Sequence, residues 1–201
     1  NNACFTLNYL SANPDFKKIK ENGFNQYFRQ NVEETYKEYD GSSEAIVRVS
    51  NYASDGVFEV QFHGTEHLHI PRWMKALHED EKIVVEAFEE KVFSPAVTDT
   101  KGYSMEFMDA LDFDSIKEVP EQLKSLKEGL ELFKGVWNKR PESFIAPCYR
   151  WSKPIEAFLA KEGIKYIQGQ RAQLHPLNKN GFKQQLACRQ CRSGRLYFKS
   201  F

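Results

Sequence analysis

The sequence has no apolar run approaching the roughly 20 residues of a membrane-spanning helix, and it has no excess of charge of either sign. Lysine and arginine together number 28, and so do aspartate and glutamate, so the formal net charge is zero. A protein without net positive charge has no overall field that attracts a polyanion. We therefore expect neither a membrane span nor a nucleic-acid partner.

Cysteines are also few: there are four, Cys4, Cys148, Cys188 and Cys191. A disulfide scaffold needs a higher density, so we expect free thiols, and the Cys-x-x-Cys spacing of the last two has no second pair that would complete a zinc site. The first residues show neither an initiator methionine nor a signal-peptide pattern, which is typical of a processed or excised chain. These features leave the cellular compartment open.

The rest of the composition is that of an ordinary globular protein. Of the 201 residues, 41% are hydrophobic and 28% are charged, and no repeat or linker divides the chain, so we predict one domain over 1–201. Short strand patterns alternate with amphipathic helix patterns, which favours an α/β fold with a mostly parallel sheet, open or closed into a barrel, and outer helices. The predicted strands cover 3–10, 45–49, 57–62, 143–146, 164–168 and 196–198, and the predicted helices lie between 14 and 23 and over 26–39, 71–92, 106–111, 120–137 and 155–162.

Two segments follow predicted strands directly and carry side chains suited to chemistry. In α/β folds the active site lies beyond the carboxyl ends of the strands. Residues 63–69 follow the strand that ends at Phe62, and residues 147–151 follow the strand that ends at Ala146. We expect the functional site where these two segments meet.

The first segment holds three of the five histidines. His63 and His67 are four residues apart, a spacing that brings two side chains to one side of a turn, and imidazole is a common ligand of divalent transition metals. We predict that these two histidines bind a metal, with a solvated surface loop as the alternative. His69 is expected to have a structural role because it lies only two residues beyond His67.

The same segment also matches the pattern H-x-x-E-H, in which Glu66 would be the general base of a zinc protease. That mechanism requires both histidines on one continuous helix. Gly64 within the motif and Pro71 shortly after it make such a helix a poor prediction.

Taken together, the two segments resemble the NodB-type polysaccharide deacetylase family. The resemblance rests on the strand followed by His63-Gly64-Thr65-x-His67, on residues 143–151 (SFIAPCYRW) about eighty residues later, and on the helix, glycine and strand pattern over 155–166. It implies a distorted or incomplete (β/α) barrel that removes acetyl groups from a saccharide outside the cytoplasm. It also implies a divalent metal, with zinc the first candidate, held by His63 and His67, and a sugar groove walled by Pro147, Tyr149 and Arg150.

The sequence departs from that family in several places. The family carries an Asp-Asp pair, the base and the third metal ligand, before its first histidine motif, and no Asp-Asp occurs here. Because 3–10 resembles the second strand of the family, we expect the missing segment before Asn1. We likewise expect the late catalytic histidine beyond Phe201, which makes the domain truncated at both ends. The usual arginine precedes the proline, whereas Arg150 follows it. The remaining candidate acids are expected to be solvated loop residues, and none is assigned as the base: Asp55, Asp99, Asp109, Asp112 and Asp114.

Arg150 and the nearby aromatic residues allow more than one role. Arg150 either pairs with a neighbouring acid for structural reasons or orients a catalytic carboxylate or substrate oxygen. Tyr149 and Trp151 are predicted to stack on sugar faces, whereas Trp73 is expected to pack in the core. The two functions that follow are a metal-dependent deacetylase and a related glycan-binding module without catalytic activity.

Overall fold

The computed structural model describes residues 4–39, 44–95, 107–170, 172–178, 181–186 and 197–199. Strands and helices alternate along these residues. The strands are β1 (Phe5–Tyr9), β2 (Ala12–Pro14), β3 (Arg29–Asn31), β4 (Phe58–Phe62), β5 (Ser143–Ile145), β6 (Tyr166–Gln168), β7 (Ala172–Leu177), β8 (Gly181–Leu186) and β9 (Tyr197–Lys199). The helices are α1 (Phe16–Glu21), α2 (Val32–Lys37), α3 (Ala45–Ser54), α4 (Ile70–His78), α5 (Lys82–Glu89), α6 (Val119–Trp137) and α7 (Lys153–Lys161), with 3-10 turns at Ile116–Glu118 and Pro147–Tyr149.

The central sheet has five parallel strands in the order β1-β4-β5-β6-β9. The strands lie in the sheet in the order in which they occur along the chain, so each connection moves one position in the same direction. Because all five are parallel, their carboxyl ends lie at the same edge. Two antiparallel pairs, β2-β3 and β7-β8, flank it. The predicted α/β class with mostly parallel strands is confirmed, and within the described residues the sheet is open, with β1 and β9 as its outer strands.

Helix α6 covers one face of the sheet and contributes most of the aromatic contacts there. Pro120 stands in its first turn and Asn138, with φ +48°, ends it in a left-handed conformation. Between these limits the buried side chains recur at three- and four-residue spacing, as the sequence predicted. Phe133 packs edge-on against both Tyr9 of β1 and Phe62 of β4, at ring distances of 5.8 and 5.9 Å. Burying a side chain of that size stabilises the fold by about 2 kcal/mol.

A second apolar cluster joins α1, α4 and α5 beside the carboxyl edge of the sheet. Trp73 is at its centre, fully buried and 5.7 Å from the ring of Phe88. The expected packing role of Trp73 is confirmed. Together with α6, this cluster holds the loop that follows β4 from two sides.

Several predicted elements differ from the structure. Residues 45–49, predicted as a strand, begin helix α3, because Ile46, Val49 and Ala53 pack on the core at helical spacing. The helix predicted over 71–92 is divided into α4 and α5 at Asp80, where φ is +55°. Residues 26–39 contain β3 before the short α2, and residues 107–111 form turns rather than a helix. Among the described helices, none is long and apolar enough to cross a bilayer.

Candidate functional site

His63 is held between two strands of the sheet, directly after β4. Its backbone N–H donates to the carbonyl of Tyr9 at 2.9 Å, which extends the pairing with β1. On the other side its ring Nδ1 lies 2.8 Å from the carbonyl oxygen of Ile145 in β5. Because a carbonyl can only accept, Nδ1 carries the proton and the lone pair of the neutral ring is on Nε2. Metal-binding histidines are commonly held in this way.

The ring of His67 lies beside that of His63. The ring centroids are 5.1 Å apart and the planes are inclined by 70°. Burial lowers the pKa of both histidines, and for His63 the nearby His67 lowers it further. Both imidazoles are therefore neutral at neutral pH, the form that binds metals. Nδ1 of His67 is buried and has no hydrogen-bond partner among the described residues.

His63 and His67 meet some, but not all, of the requirements of a metal site. Two neutral imidazoles from one loop meet, one with its tautomer fixed, as the four-residue spacing predicted. Within the described residues, however, no group of three histidine, cysteine, aspartate or glutamate side chains comes together in a way that could hold a metal ion. Catalytic zinc sites use three protein ligands, so this pair alone does not complete such a site among the described residues.

Asp109 is the principal acid that the sequence analysis misjudged. It is 1% exposed, and its Oδ2 lies 2.5 Å from Nη1 of Arg150. Burial raises the pKa of Asp109 to about 7, with the charge of Asp112 adding to the rise and Arg150 opposing it. The expectation of a solvated loop acid is wrong for this residue, because the loop folds inward and places it against the β5 turn. Of the two roles left open for Arg150, pairing with an acid is observed, and that acid is the one whose pKa lies near neutrality.

The other candidate acids divide into buried and exposed residues. Asp112 is 1% exposed and binds Arg72 at 2.8 Å, so it too is not a solvated loop acid. Asp55 and Asp114 are exposed, as expected. Asp99 lies outside the described residues. The acids at 109 and 112 are each flanked by apolar residues on both sides in MDALDF, and this apolar setting is the sequence signal that could have indicated their burial.

The turn after β5 has an unusual backbone. Cys148 and Tyr149 adopt φ values of +51° and +57°, a left-handed conformation that costs about 1 kcal/mol or more for each residue with a side chain. The thiol of Cys148 donates to the carbonyl of Met108 at 3.6 Å, next to Asp109. Burial raises the pKa of this thiol to about 11, so it is protonated at neutral pH. Consecutive strained residues of this kind concentrate at functional sites.

The residues predicted to bind substrate differ in their exposure to solvent. Pro147 is buried but contributes to the wall of a pocket, and Tyr149 is partly exposed. Trp151 is 0% exposed and packs in the main core. Its predicted role in sugar stacking is therefore wrong, since a buried indole offers no face to a ligand. The close approach of Gly169, where a Cβ would lie 2.8 Å from the indole, explains why that position is a glycine.

His69 and Glu66 have structural partners. His69 is the N-cap of α4, its Nδ1 accepting the backbone N–H of Arg72 at 3.3 Å, which confirms the expected structural role. Residues 63–69 are not helical, so the H-x-x-E-H protease geometry is absent. Glu66 instead binds Arg29 at 2.7 Å, with Tyr27 and Ser125 donating to the same carboxylate.

A pocket of about 620 Å³ adjoins the histidine loop. Gly64, Thr65 and Glu66 line it, together with Pro147 and the first turns of α6, whereas the two metal-candidate histidines do not. The pocket and the histidine pair therefore lie along the same loop without sharing their side chains. Nothing in the sequence pattern indicated this cavity.

The β7-β8 hairpin lies beside the strained turn. Leu174 of β7 forms a parallel bridge with Arg150. Gln173 is buried and its Nε2 lies 3.1 Å from the carbonyl of Trp151 and 3.3 Å from Nδ1 of His175. His175 therefore lies in β7 next to Leu174, the residue that bridges to Arg150. Cys188 and Cys191 lie outside the described residues, and Cys4 and Cys148 are free thiols as expected.

No protein-family model, curated protein or solved structure matches this chain.

Proposed function

We propose that the chain is a metal-dependent hydrolase domain that removes N- or O-acetyl groups from a saccharide. In this proposal the parallel sheet belongs to an incomplete (β/α) barrel of the NodB type, and the metal, with zinc the first candidate, is bound by His63 and His67. The proposal rests above all on one observation. Two neutral imidazoles meet at the carboxyl edge of the sheet, and the Ile145 carbonyl fixes the tautomer of one of them.

The metal, when bound, would polarise the acetyl carbonyl and lower the pKa of a bound water. The protein's own groups would hold that arrangement and move the proton. Asp109 has a pKa of about 7 and can therefore both take and return a proton near neutral pH. Arg150 orients it through the 2.5 Å contact, and Pro147 and Tyr149 form part of the sugar groove.

The choice of acetyl group and saccharide is supported by the sequence resemblance alone. Its motif residues are His63, Gly64, Thr65 and His67 in one loop and the proline-containing turn after β5. An extracytoplasmic location follows from the same resemblance and belongs to the same proposal.

The alternative is a glycan-binding module that does not cut its ligand. It is favoured by one observation, the lack of a third metal ligand within the residues that the structure describes. The two functions differ in a simple respect: the module would bind acetylated oligosaccharides but release no acetate.

Metal content tests the histidine pair first, because it depends only on residues of this chain. The wild-type protein, equilibrated with zinc and desalted, is expected to retain about one zinc per chain by mass spectrometry of the metal, and the His63→Ala/His67→Ala double variant is expected to retain none. His78→Ala, which removes an exposed histidine of α4, is the matched control and should retain zinc like the wild type. Equal zinc content in the double variant and the control would show that His63 and His67 do not bind zinc.

Acetate release then separates the two functions. The zinc-loaded protein is incubated with N-acetylated and O-acetylated oligosaccharides, and acetate is measured enzymatically. We expect release by the wild type and a loss of at least a hundredfold in both the double histidine variant and Asp109→Asn. Binding of the oligosaccharides without acetate release would favour the module and contradict the hydrolase.

A further inference from the structure

The chain between the two metal-candidate histidines is held first through its backbone and one hydroxyl. The carbonyl oxygens of Gly64 and Thr65 accept the backbone N–H groups of Ser11 and Ala12, at 3.3 and 2.8 Å. On the other side, the hydroxyl of Thr65 donates to the carbonyl of Ser125 in α6 at 2.7 Å. The loop is therefore bound both to the residues that join β1 to β2 and to α6.

Glu66, the next residue of this loop, is a buried acid in a closed hydrogen-bond network. It is 4% exposed, and Nε of Arg29 donates to its Oε1 at 2.7 Å. The Tyr27 hydroxyl donates to the same oxygen at 3.2 Å, and the Ser125 hydroxyl donates to Oε2 at 3.3 Å. Arg29 also donates to the Ser125 hydroxyl oxygen at 3.2 Å, which closes the network. Both carboxylate oxygens of Glu66 are thus fixed by directional contacts.

The charges of this network are also matched. A buried carboxylate is costly unless a cation pairs with it, and Arg29 is the basic side chain that forms a salt bridge with Glu66 in the described part of the chain. Arg29 also binds Glu128, which is 45% exposed. Loss of the charge on Glu66 would leave Arg29 without its buried partner, whereas loss of the charge on Glu128 would leave the buried pair intact.

His63 and His67 are anchored in different ways. His63 is fixed within the sheet by the two strand carbonyls described above. His67 lies instead between Glu66 and Leu68, which is 2% exposed and packs in the second apolar cluster. The position of the second imidazole therefore depends on these two neighbours, and Glu66 is the one held by directional contacts.

We propose that Glu66 is a positioning residue of the histidine pair: held by Arg29, it fixes the loop so that the two imidazoles meet before a metal binds. The H-x-x-E-H pattern would make the same glutamate a general base, but here both of its oxygens accept hydrogen bonds from the protein. A loop ordered in advance loses little conformational freedom when a ligand binds, so more of the interaction energy appears as affinity. The consequence for zinc rests on the proposed metal site, whereas the positioning itself is a property of the metal-free protein.

NMR of the metal-free protein tests the positioning directly. The two rings are in contact, with centroids 5.1 Å apart, so the wild type should show nuclear Overhauser effects between the ring protons of His63 and His67. Glu66→Gln should weaken these effects, because a neutral amide cannot replace the carboxylate opposite Arg29. Glu128→Gln, which removes the exposed partner of the same arginine, is the matched control and should keep them. Ring contacts that are absent from the wild type, or unchanged in Glu66→Gln, would overturn the proposal.

A second variant approaches the same contact from the other side. Arg29→Lys keeps the positive charge, but a single ammonium does not reproduce the several donors of the guanidinium, so this variant should also weaken the ring contacts, and it decides the question if Glu66→Gln does not fold. Thermal unfolding confirms which variants are folded. Because both substitutions act through one contact, the double variant should lose no more than the more damaging single variant. Additive losses would show two independent effects and contradict the proposal.

Zinc affinity, measured by competition with a chelating dye, separates this proposal from the metal site. Glu66→Gln should raise the zinc Kd about tenfold, the lower end of the usual loss when a group that orients metal ligands is removed, and Glu128→Gln should leave it unchanged. A wild type that binds no zinc but shows ring contacts dependent on Glu66 would refute the metal site and support the positioning. Zinc binding that is lost in the His63→Ala/His67→Ala variant and fully retained in Glu66→Gln would refute the positioning alone.

Discussion

Gly129 of α6 sets how closely that helix approaches the histidine loop, and replacing it tests the packing of the site. A Cβ at this position would overlap Thr65 Oγ1 and lie 3.0 Å from Thr65 Cβ and 3.1 Å from its Cα. Thr65 cannot easily turn away, since its hydroxyl donates to the carbonyl of Ser125 at 2.7 Å. The carbonyl of Gly129 itself accepts from Ser11 at 2.9 Å. Gly129→Ala must therefore move the helix or the loop.

The same helix contains a matched control. A Cβ added at Gly135 would meet no described atom within 4 Å, so Gly135→Ala should gain only the higher helix propensity of alanine, about 1 kcal/mol. For Gly129→Ala that gain is opposed by overpacking of about 2 kcal/mol and by the loss of a hydrogen bond worth about 1 kcal/mol. The expected net change is a destabilisation of about 2 kcal/mol.

The assay is thermal unfolding of the two variants and the wild type under one set of conditions. At about 3 °C per kcal/mol for a domain of this size, Gly129→Ala should unfold about 6 °C below the wild type and Gly135→Ala about 3 °C above it. A Gly129→Ala protein as stable as Gly135→Ala would refute the close approach of α6 to the loop. If zinc binding is established, Gly129→Ala should also weaken it, because Thr65 lies between the two histidines.

Two further predictions concern Asp109 and Gly169. The pKa of Asp109 is about 7 in the folded protein against an ordinary value of 3.8, so between about pH 4 and pH 7 the folded state holds a proton that the unfolded state releases. The free energy of unfolding should fall as the pH rises through that window, by up to about 1.4 kcal/mol per pH unit. Urea unfolding measures it, and Asp109→Asn should flatten its dependence on pH. The same dependence on pH in the variant as in the wild type would contradict a buried, protonated carboxyl. Gly169→Ala places a Cβ 2.8 Å from Cη2 of Trp151 and should destabilise the protein by about 2 kcal/mol, whereas stability equal to that of Gly135→Ala would show that the indole is not packed against Gly169.

Much of the fold was predictable from local patterns. The alternating run before His63 and the amphipathic stripe of α6 predicted β4 and α6 within one residue of their ends. The prediction of a strand at 45–49 was wrong because β-branched residues also suit the side of a helix that packs on the core. Only tertiary packing decides between a strand and a helix in such a segment. The β7-β8 hairpin was missed because Pro176 within β7 and Gly181 at the start of β8 argue locally against strands.

The candidate site was predictable only where its residues lie close together in the sequence. His63 and His67 are four residues apart, so their proximity followed from spacing. The contact of Asp109 with Arg150 joins residues 41 positions apart, and no local pattern determines which acid meets an arginine. The error over Trp151 has a similar cause, since exposure of an aromatic ring depends on what covers it, in this structure the sheet core and Gly169.

The imidazole of His63 makes a hydrogen bond between β4 and β5 at a position where a backbone N–H would otherwise make it. β4 and β5 share a single register pair, Phe62 with Phe144, and beyond it the ladder continues through the side chain to the Ile145 carbonyl rather than through backbone. A cation bound by that ring would therefore restrain the pairing of two central strands of the sheet. Slower backbone amide exchange in β4 and β5 after metal is added would then report metal binding without any substrate.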